Sequence, residues 1–282
     1  MDFVVIDVET ANPDLASICQ VGIAVFSKGQ LSESWSTLVN PDDYFDAHNI
    51  SVHGINEKMV ASAPHWIEVH DRLRANFSNK ILVSHTPFDR VAIRRACEKS
   101  STTPLDCQWL DTARVVRRAW PIFSRSGYGL ANVAAHFGIR FKHHDAEEDA
   151  RAAGEILLRA IQETGSSAAD WCYLALRPTA SALSSEANTA NPDGPLFGDV
   201  VVFTGALSIP RKDAANIACL AGCDVANGVT KHTTLLVVGD QDIRMLAGAE
   251  KSSKHRKAEE LMAKGQKIRI LGESDFGRLI GA

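Results

Sequence analysis

Seven residues near the start of the chain, Val4-Val5-Ile6-Asp7-Val8-Glu9-Thr10, restrict its fold more than any other stretch. An apolar, β-branched run of this kind reads as a buried strand. On a strand, alternate side chains share a face, so Asp7 and Glu9 project together from the end of it. Two like charges held that close at a sheet need a strong cation between them, or one must keep its proton. A divalent metal ion meets that need most simply. The spacing is not specific by itself, because Asp145 and Glu147 repeat it in a charged stretch that reads as a solvated helix start. A lone carboxylate capping a loop is the plain structural alternative, and the rest of the chain has to decide.

With 282 residues there is room for one large core, and better for two domains. A hydrophobic content of 45% with 23% charged residues is that of an ordinary globular protein, not of a disordered or fibrous one. No apolar stretch reaches membrane-spanning length, and no basic-then-apolar leader precedes the first strand, so the expected location is the cytoplasm. Cysteines 19, 97, 107, 172, 219 and 223 form no Cys-x-x-Cys pair, which argues against zinc and for scattered reduced thiols. Net charge is −4 over residues 1–165 and +2 over residues 196–282. The first part therefore does not attract nucleic acid by bulk electrostatics unless metal neutralises several of its carboxylates.

Along the chain, Ile18 to Phe26 and Leu31 to Val39 read as two further strands, giving an antiparallel meander. Residues 40–56 are turn-rich, with a loop at Val52-His53-Gly54-Ile55 before a short helix near Glu57 to Ala61. Pro64 opens a helix to about Phe77, Ile81 to Ser84 is a short buried strand, and Asp89 to Lys99 is a helix. Trp109 to Trp120 and Leu130 to Phe137 read as helical. Asp145 to Thr164 is a strong helix with Ala150, Ala153, Ile156, Leu157, Ala160 and Ile161 as its apolar stripe. Residues 166–195 read as a linker rich in Ser, Ala, Asn, Thr, Pro and Gly, although Trp171 to Leu174 can dock as a short helix. From Leu196 a smaller α/β unit follows, with strands at Val200 to Phe203, Leu235 to Val238 and Ile268 to Ile270. Its helices are expected at Arg211 to Leu220, Lys254 to Ala263 and Glu273 to Leu279. The expected organisation is an α/β domain over 1–165, a linker over 166–195 and a second α/β domain over 196–282.

Three more residues join the acidic pair. Asp89 follows the Ile81–Ser84 strand at a helix start, where capping is its ordinary role. Asp149 stands inside the Asp145–Thr164 helix, in line with Ala153, although Asp is a poor helix former. A buried, unpartnered aspartate costs several kcal/mol in its charged form, so Asp149 needs a partner. His144 sits at the loop-to-helix junction, and His143 beside it shows that one histidine alone means little. Converging, Asp7, Glu9, Asp89 and Asp149 offer oxygen donors and no thiolate, which suits Mg²⁺ or Mn²⁺. Two such ions are the common clamp for attack on a phosphodiester, and a neutral imidazole can take the proton of the attacking water.

The three motifs, Asp7-Val8-Glu9, Phe88-Asp89 and His144-Asp145-Ala146-Glu147-Glu148-Asp149-Ala150, resemble the DEDDh 3′–5′ exonuclease family over residues 1 to about 163. Gln20-Val21-Gly22 and Val52-His53-Gly54-Ile55 look like its proofreading-subunit branch. The family usually has Asn after the His of the second motif, whereas Thr86-Pro87 follows His85 here. The resemblance implies a ribonuclease H-like mixed sheet flanked by helices. It also implies Asp7, Glu9, Asp89 and Asp149 as holders of two divalent ions and His144 as general base. Val8, Thr10, His53 and Phe88 would then hold the terminal nucleotide.

Residues 196–282 resemble a BRCT domain, especially that of bacterial DNA ligases, through Phe203-Thr204-Gly205, Ala221-Gly222, Thr233 to Gly239, Ser253-Lys254 and Glu273 to Leu279. That likeness implies Thr204, Gly205 and Lys254 as phosphate contacts, with a DNA end or a protein partner as ligand. Read on its own, Ser253 to Ala258 is an exposed basic helix start. The expected function is metal-dependent 3′–5′ hydrolysis of nucleic acid, DNA before RNA, with a recruitment module. The alternatives are an RNA 3′–5′ exonuclease and a non-catalytic DNA-repair scaffold.

Overall fold

The computed structural model describes residues 2–124, 127–176, 190–240 and 252–280, and divides into two compact units, Met1–Arg177 and Pro178–Ala282. Of the stretch read as linker, residues 177–189 lie outside the described residues.

In the first unit, β1 (Phe3–Thr10) is the middle strand of a five-stranded sheet ordered β3-β2-β1-β4-β5. Its central place explains the near-continuous apolar run: Val5 and Ile6 point to opposite faces, yet both are at most 1% exposed. β2 (Ile18–Ser27) pairs antiparallel with β1, setting Gly22 opposite Asp7 and Gln20 opposite Glu9. β3 (Gln30–Leu38) completes the meander. Three helices, α1 (Ala47–His53), α2 (Glu57–Val60) and α3 (Trp66–Phe77), then carry the chain across. β4 (Ile81–Ser84) and β5 (Gln108–Asp111) run parallel to β1 on its other side, with α4 (Phe88–Lys99) between them. The carboxyl ends of β1, β4 and β5 therefore open at one edge, where α/β sheets characteristically receive ligands.

Two local expectations are corrected. The stretch read as one helix from Trp109 to Trp120 opens as β5, and α5 (Thr112–Ala119) begins only after it. Leu110, 2% exposed, completes the sheet beside β4, and the Asp111 carboxylate accepts the Ala113 N–H at 2.8 Å to start the helix. His53, read as part of a loop, is the last residue of α1. That helix is framed by Asp46, which accepts the His48 N–H, and by Gly54 in the left-handed region with φ 79°. It buries no residue, so it carries no apolar stripe to announce it.

The remaining helices of the unit are α6 (Leu130–Phe137), α7 (Ala146–Thr164) and α8 (Ala168–Leu174). α7 packs its alanine-rich stripe on β1 and β2, and two glycines let it lie close. A Cβ on Gly22 would overlap the backbone of Ala146, and one on Gly154 would overlap the ring of Phe26. Eight helical residues rise about 12 Å and four strand residues about 13 Å, so α7 runs alongside β2 from Gly22 to Phe26. The ring of Phe26 also stacks on Phe3, centroids 4.9 Å apart. Its first turn thus arrives over the carboxylate end of β1.

The second unit has a four-stranded parallel sheet ordered β7-β6-β8-β9. Its elements are β6 (Val200–Thr204), α9 (Arg211–Leu220), β7 (Asp224–Val225), β8 (Leu235–Val238), α10 (Ser253–Ala263), β9 (Arg269–Gly272) and α11 (Glu273–Ile280). Val202, Leu236, Val238, Ala258, Met262, Ile268 and Ile270 form a core cluster between the sheet and α10. The two-residue β7 is too short to show a pattern in the sequence. Among the described residues, no helix is long and apolar enough to cross a membrane.

Candidate active site

β1 supplies Asp7 and Glu9, and the first turn of α7 supplies Asp149. One carboxylate oxygen from each lies within 4.8 Å of the others. Asp149 is 3% exposed, turned inward with the alanine stripe as its helix position implies. Its charge sits at the α7 N-terminus, which favours an anion. Asp89, in the first turn of α4 and 2% exposed, stands outside the 4.8 Å group. Its Oδ1 accepts the Val8 N–H at 3.0 Å and so ties α4 to β1.

Two of these carboxylates, Asp7 and Asp89, are held above the ordinary range. Burial and then the charges of Asp89, Asp149 and Glu9 hold Asp7 well above the ordinary carboxylate range. Burial is also the main reason that Asp89 is pushed up to about 8, against the lowering effect of the Val8 N–H. A cation among them would relieve this repulsion, and a donor set of carboxylate oxygens without thiolate fits a hard divalent ion.

His144 lies at the rim, with its Nδ1 3.8 Å from Glu9 Oε1. Its backbone is in the left-handed region, φ 66°, and its N–H donates to Asp149 Oδ2 at 2.8 Å. His143, which the sequence did not single out, sits closer to Asp149 than the His144 ring does. Its Nδ1 is 3.0 Å from Asp149 Oδ1. Two adjacent histidines carry no mark of which ring turns inward, so no sequence signal distinguishes them.

The four residues expected to hold a nucleotide are arranged differently. Val8 and Thr10 are buried, at 2% and 5% exposure, so their side chains belong to the core. The Thr10 carbonyl accepts from Asn49 Nδ2 at 2.7 Å and from His53 Nε2 at 3.2 Å. His53 Nδ1 accepts the Ile55 N–H at 3.0 Å, which fixes the proton on Nε2, and burial pushes its pKa below the ordinary value. Phe88 is half-buried at the start of α4.

Two further residues shape the loop between β4 and α4. His85 is buried, with Nδ1 2.7 Å from Thr112 Oγ1 and Nε2 2.8 Å from the Tyr128 carbonyl. A carbonyl only accepts, so Nε2 carries the proton, while the Thr112 hydroxyl beside Nδ1 also lies 3.2 Å from the Ser84 carbonyl. Thr86 has φ 79°, an uncommon conformation for a β-branched residue. It is held by its N–H to Asp111 Oδ1 at 3.0 Å and by the Ser84 hydroxyl on its carbonyl at 2.9 Å.

In the second unit, Thr204, Gly205 and Lys254 come together around the end of β6. Lys254 Nζ donates to the Phe203 carbonyl at 3.0 Å, and Thr204 Oγ1 lies 2.8 Å from Ser252 Oγ. Arg211 donates to the Gly205 carbonyl at 2.7 Å. Burial and the Arg211 charge lower the Lys254 pKa.

The family model described as "Exonuclease" matches residues 4–157, more than half of the chain. The 3′-5′ exonuclease DinG of Bacillus subtilis (strain 168) is 29% identical over 166 residues, covering 57% of this chain and 18% of that protein. The chain thus spans less than a fifth of the length of DinG. The DNA polymerase III subunit epsilon of Treponema pallidum (strain Nichols) is 24% identical over 178 residues, covering 62% of this chain and 83% of that protein. Among solved structures, exonuclease X in complex with 5′ overhanging duplex DNA shares the fold at 21% identity and a TM-score of 0.51. That alignment covers 61% of this chain and 99% of exonuclease X. The matched residues include Asp7, Glu9, Asp89, His144 and Asp149, the whole of the cluster built above, and on this match the chain belongs to the exonuclease family.

Proposed function

We propose that the chain is a metal-dependent 3′–5′ exonuclease of the DEDDh kind that removes nucleoside 5′-monophosphates from nucleic acid, DNA in preference to RNA. The observation that carries this reading is the meeting of Asp7 and Glu9 with Asp149 at the open edge of the sheet, with His144 beside Glu9. When bound, Mg²⁺ or Mn²⁺ supplies Lewis-acid stabilisation of the phosphoryl oxygens and activates the attacking water. Asp7, Glu9 and Asp149 would hold the ions, with Asp89 in support, and Asp89 through the Val8 N–H fixes the end of β1 against α4. The His144 imidazole accepts the proton that the attacking water loses, while the 3′ oxygen of the penultimate nucleotide leaves. His53, neutral and clamped between Ile55 and Thr10, and the half-buried face of Phe88 border the terminal nucleotide.

The 3′–5′ direction is supported by what DinG is named, and DNA by the duplex in the exonuclease X complex. The second unit is read as a BRCT module for recruitment, with Thr204, Gly205 and Lys254 around a phosphate of a DNA end or protein partner. Its parallel sheet with flanking helices and the cationic pair Arg211 and Lys254 at the end of β6 are compatible with that role.

The test is digestion of 5′-labelled DNA and RNA strands of one sequence, with Mn²⁺ and with EDTA. The expected result is Mn²⁺-dependent stepwise shortening from the 3′ end, faster on DNA, and lost in Asp149→Ala. No release from either strand, or release that survives Asp149→Ala, overturns the reading. Faster release from RNA assigns the chain to RNA instead.

A further inference from the structure

Both oxygens of Asp149 are engaged by two consecutive residues. His143 Nδ1 lies 3.0 Å from Oδ1 and 3.2 Å from Oδ2, and the His144 backbone N–H reaches Oδ2 at 2.8 Å. An ionised carboxylate only accepts, so His143 Nδ1 carries the proton and donates. The left-handed backbone of His144 turns its N–H and the preceding side chain toward the same carboxylate. The His143 ring is braced as well as bonded. It stacks on His144, centroids 4.0 Å apart and planes 18° apart, and meets Phe141 at 5.5 Å.

The terminal torsion of an aspartate is broad, so burial alone does not orient its oxygens. A carboxylate has about four lone-pair directions. The two donors leave lone pairs over, and an Asp149 oxygen also lies in the 4.8 Å group with Asp7 and Glu9. We propose that His143 is a positioning residue, which orients the Asp149 carboxylate and thereby sets the affinity of the site for divalent cations. This rests on reading Asp7, Glu9 and Asp149 as a metal site. The imidazole acts through Asp149 and takes no part in the proton transfer assigned to His144.

The test is direct titration of the full-length protein with Mn²⁺, following free Mn²⁺ by electron paramagnetic resonance. Wild type is compared with His143→Ala, His143→Asn and His143→Gln. The Asn amide places an N–H near the position of Nδ1, whereas the Gln amide places one near Nε2. The expected result is an affinity about tenfold or more weaker in His143→Ala and His143→Gln, as for loss of an outer-shell partner, with most of it restored in His143→Asn. A structural role alone would not separate Asn from Gln. The inference is overturned if wild type binds Mn²⁺ and the three variants bind equally well, or if Asn and Gln are equally impaired. Wild type that takes up no Mn²⁺ removes the metal reading itself, and the inference with it.

Discussion

Gly22 of β2 and Ala146 of α7 meet backbone to backbone, in a space that a single methyl group would fill. Gly22 is also the register partner of Asp7. The contact therefore sets how deeply the first turn of α7 rests, and with it how near Asp149 comes to Asp7.

Gly22→Ala is expected to force the helix outward, lowering stability by about 1–3 kcal/mol, the range for an overpacked core. A displacement of 1 Å at a reacting centre is worth about 100-fold in rate, so activity should fall by more than stability alone accounts for. Gly228→Ala, where an added Cβ meets nothing within 4 Å and the backbone is not left-handed, is the control and should melt near wild type. Thermal melting and nucleotide release, measured together, decide this.

Asp7→Asn should separate activity from stability. Removing a charge that burial and Asp89, Asp149 and Glu9 all disfavour should raise the melting temperature of the metal-free protein. The same change should lower activity by more than about 100-fold, the upper end for losing even an outer-shell partner of a metal. Melting in EDTA at alkaline pH, beside a digestion assay, checks both. A fall in the melting temperature would contradict the repulsion described here.

The pH dependence of the metal-free protein follows from the same carboxylates. Asp89 titrates at about 8 in the folded chain against an ordinary value of 3.8, and Asp7 is raised too. The native state thus holds protons that the unfolded state has released, and stability falls as pH rises through that window. His85 has the opposite sign. Its pKa is lowered by burial, so its contribution is present above the ordinary 6.5 and lost as pH falls through the folded value. Urea unfolding from pH 5 to pH 9 in EDTA should show the alkaline loss, and saturating Mn²⁺ should reverse it.

Thr86→Asn addresses the strained turn before α4. Asn tolerates the left-handed region better than a β-branched residue, and the N–H bond to Asp111 is retained. Stability should rise by about 1 kcal/mol, the lower end for a residue held in such a region. Unchanged or lower stability would mean that the Thr86 side chain contributes more than its backbone strain takes away.

Much of the site was legible because it obeys simple periods. Alternation along β1 put Asp7 and Glu9 on one face, and the α7 stripe turned Asp149 inward. β5 was hidden because Trp109 and Leu110 are its only apolar residues, a run too short to distinguish strand from helix, although Asp111 after them is the cap that starts α5. The α1 helix was marked only by its ends, Asp46 and Gly54. His143 was illegible in principle, since only the left-handed turn at His144 decides which of two neighbouring rings meets Asp149.

β1 is the first strand of its unit, and α7 enters only after the other four strands. A nascent chain stopped before α7 would display Asp7, Glu9 and Asp89 with nothing to close them. Contacts between segments so far apart in sequence slow folding, because the intervening chain must be closed before they form. The carboxylate set is therefore whole only once the last segment that contributes to it has been made and packed.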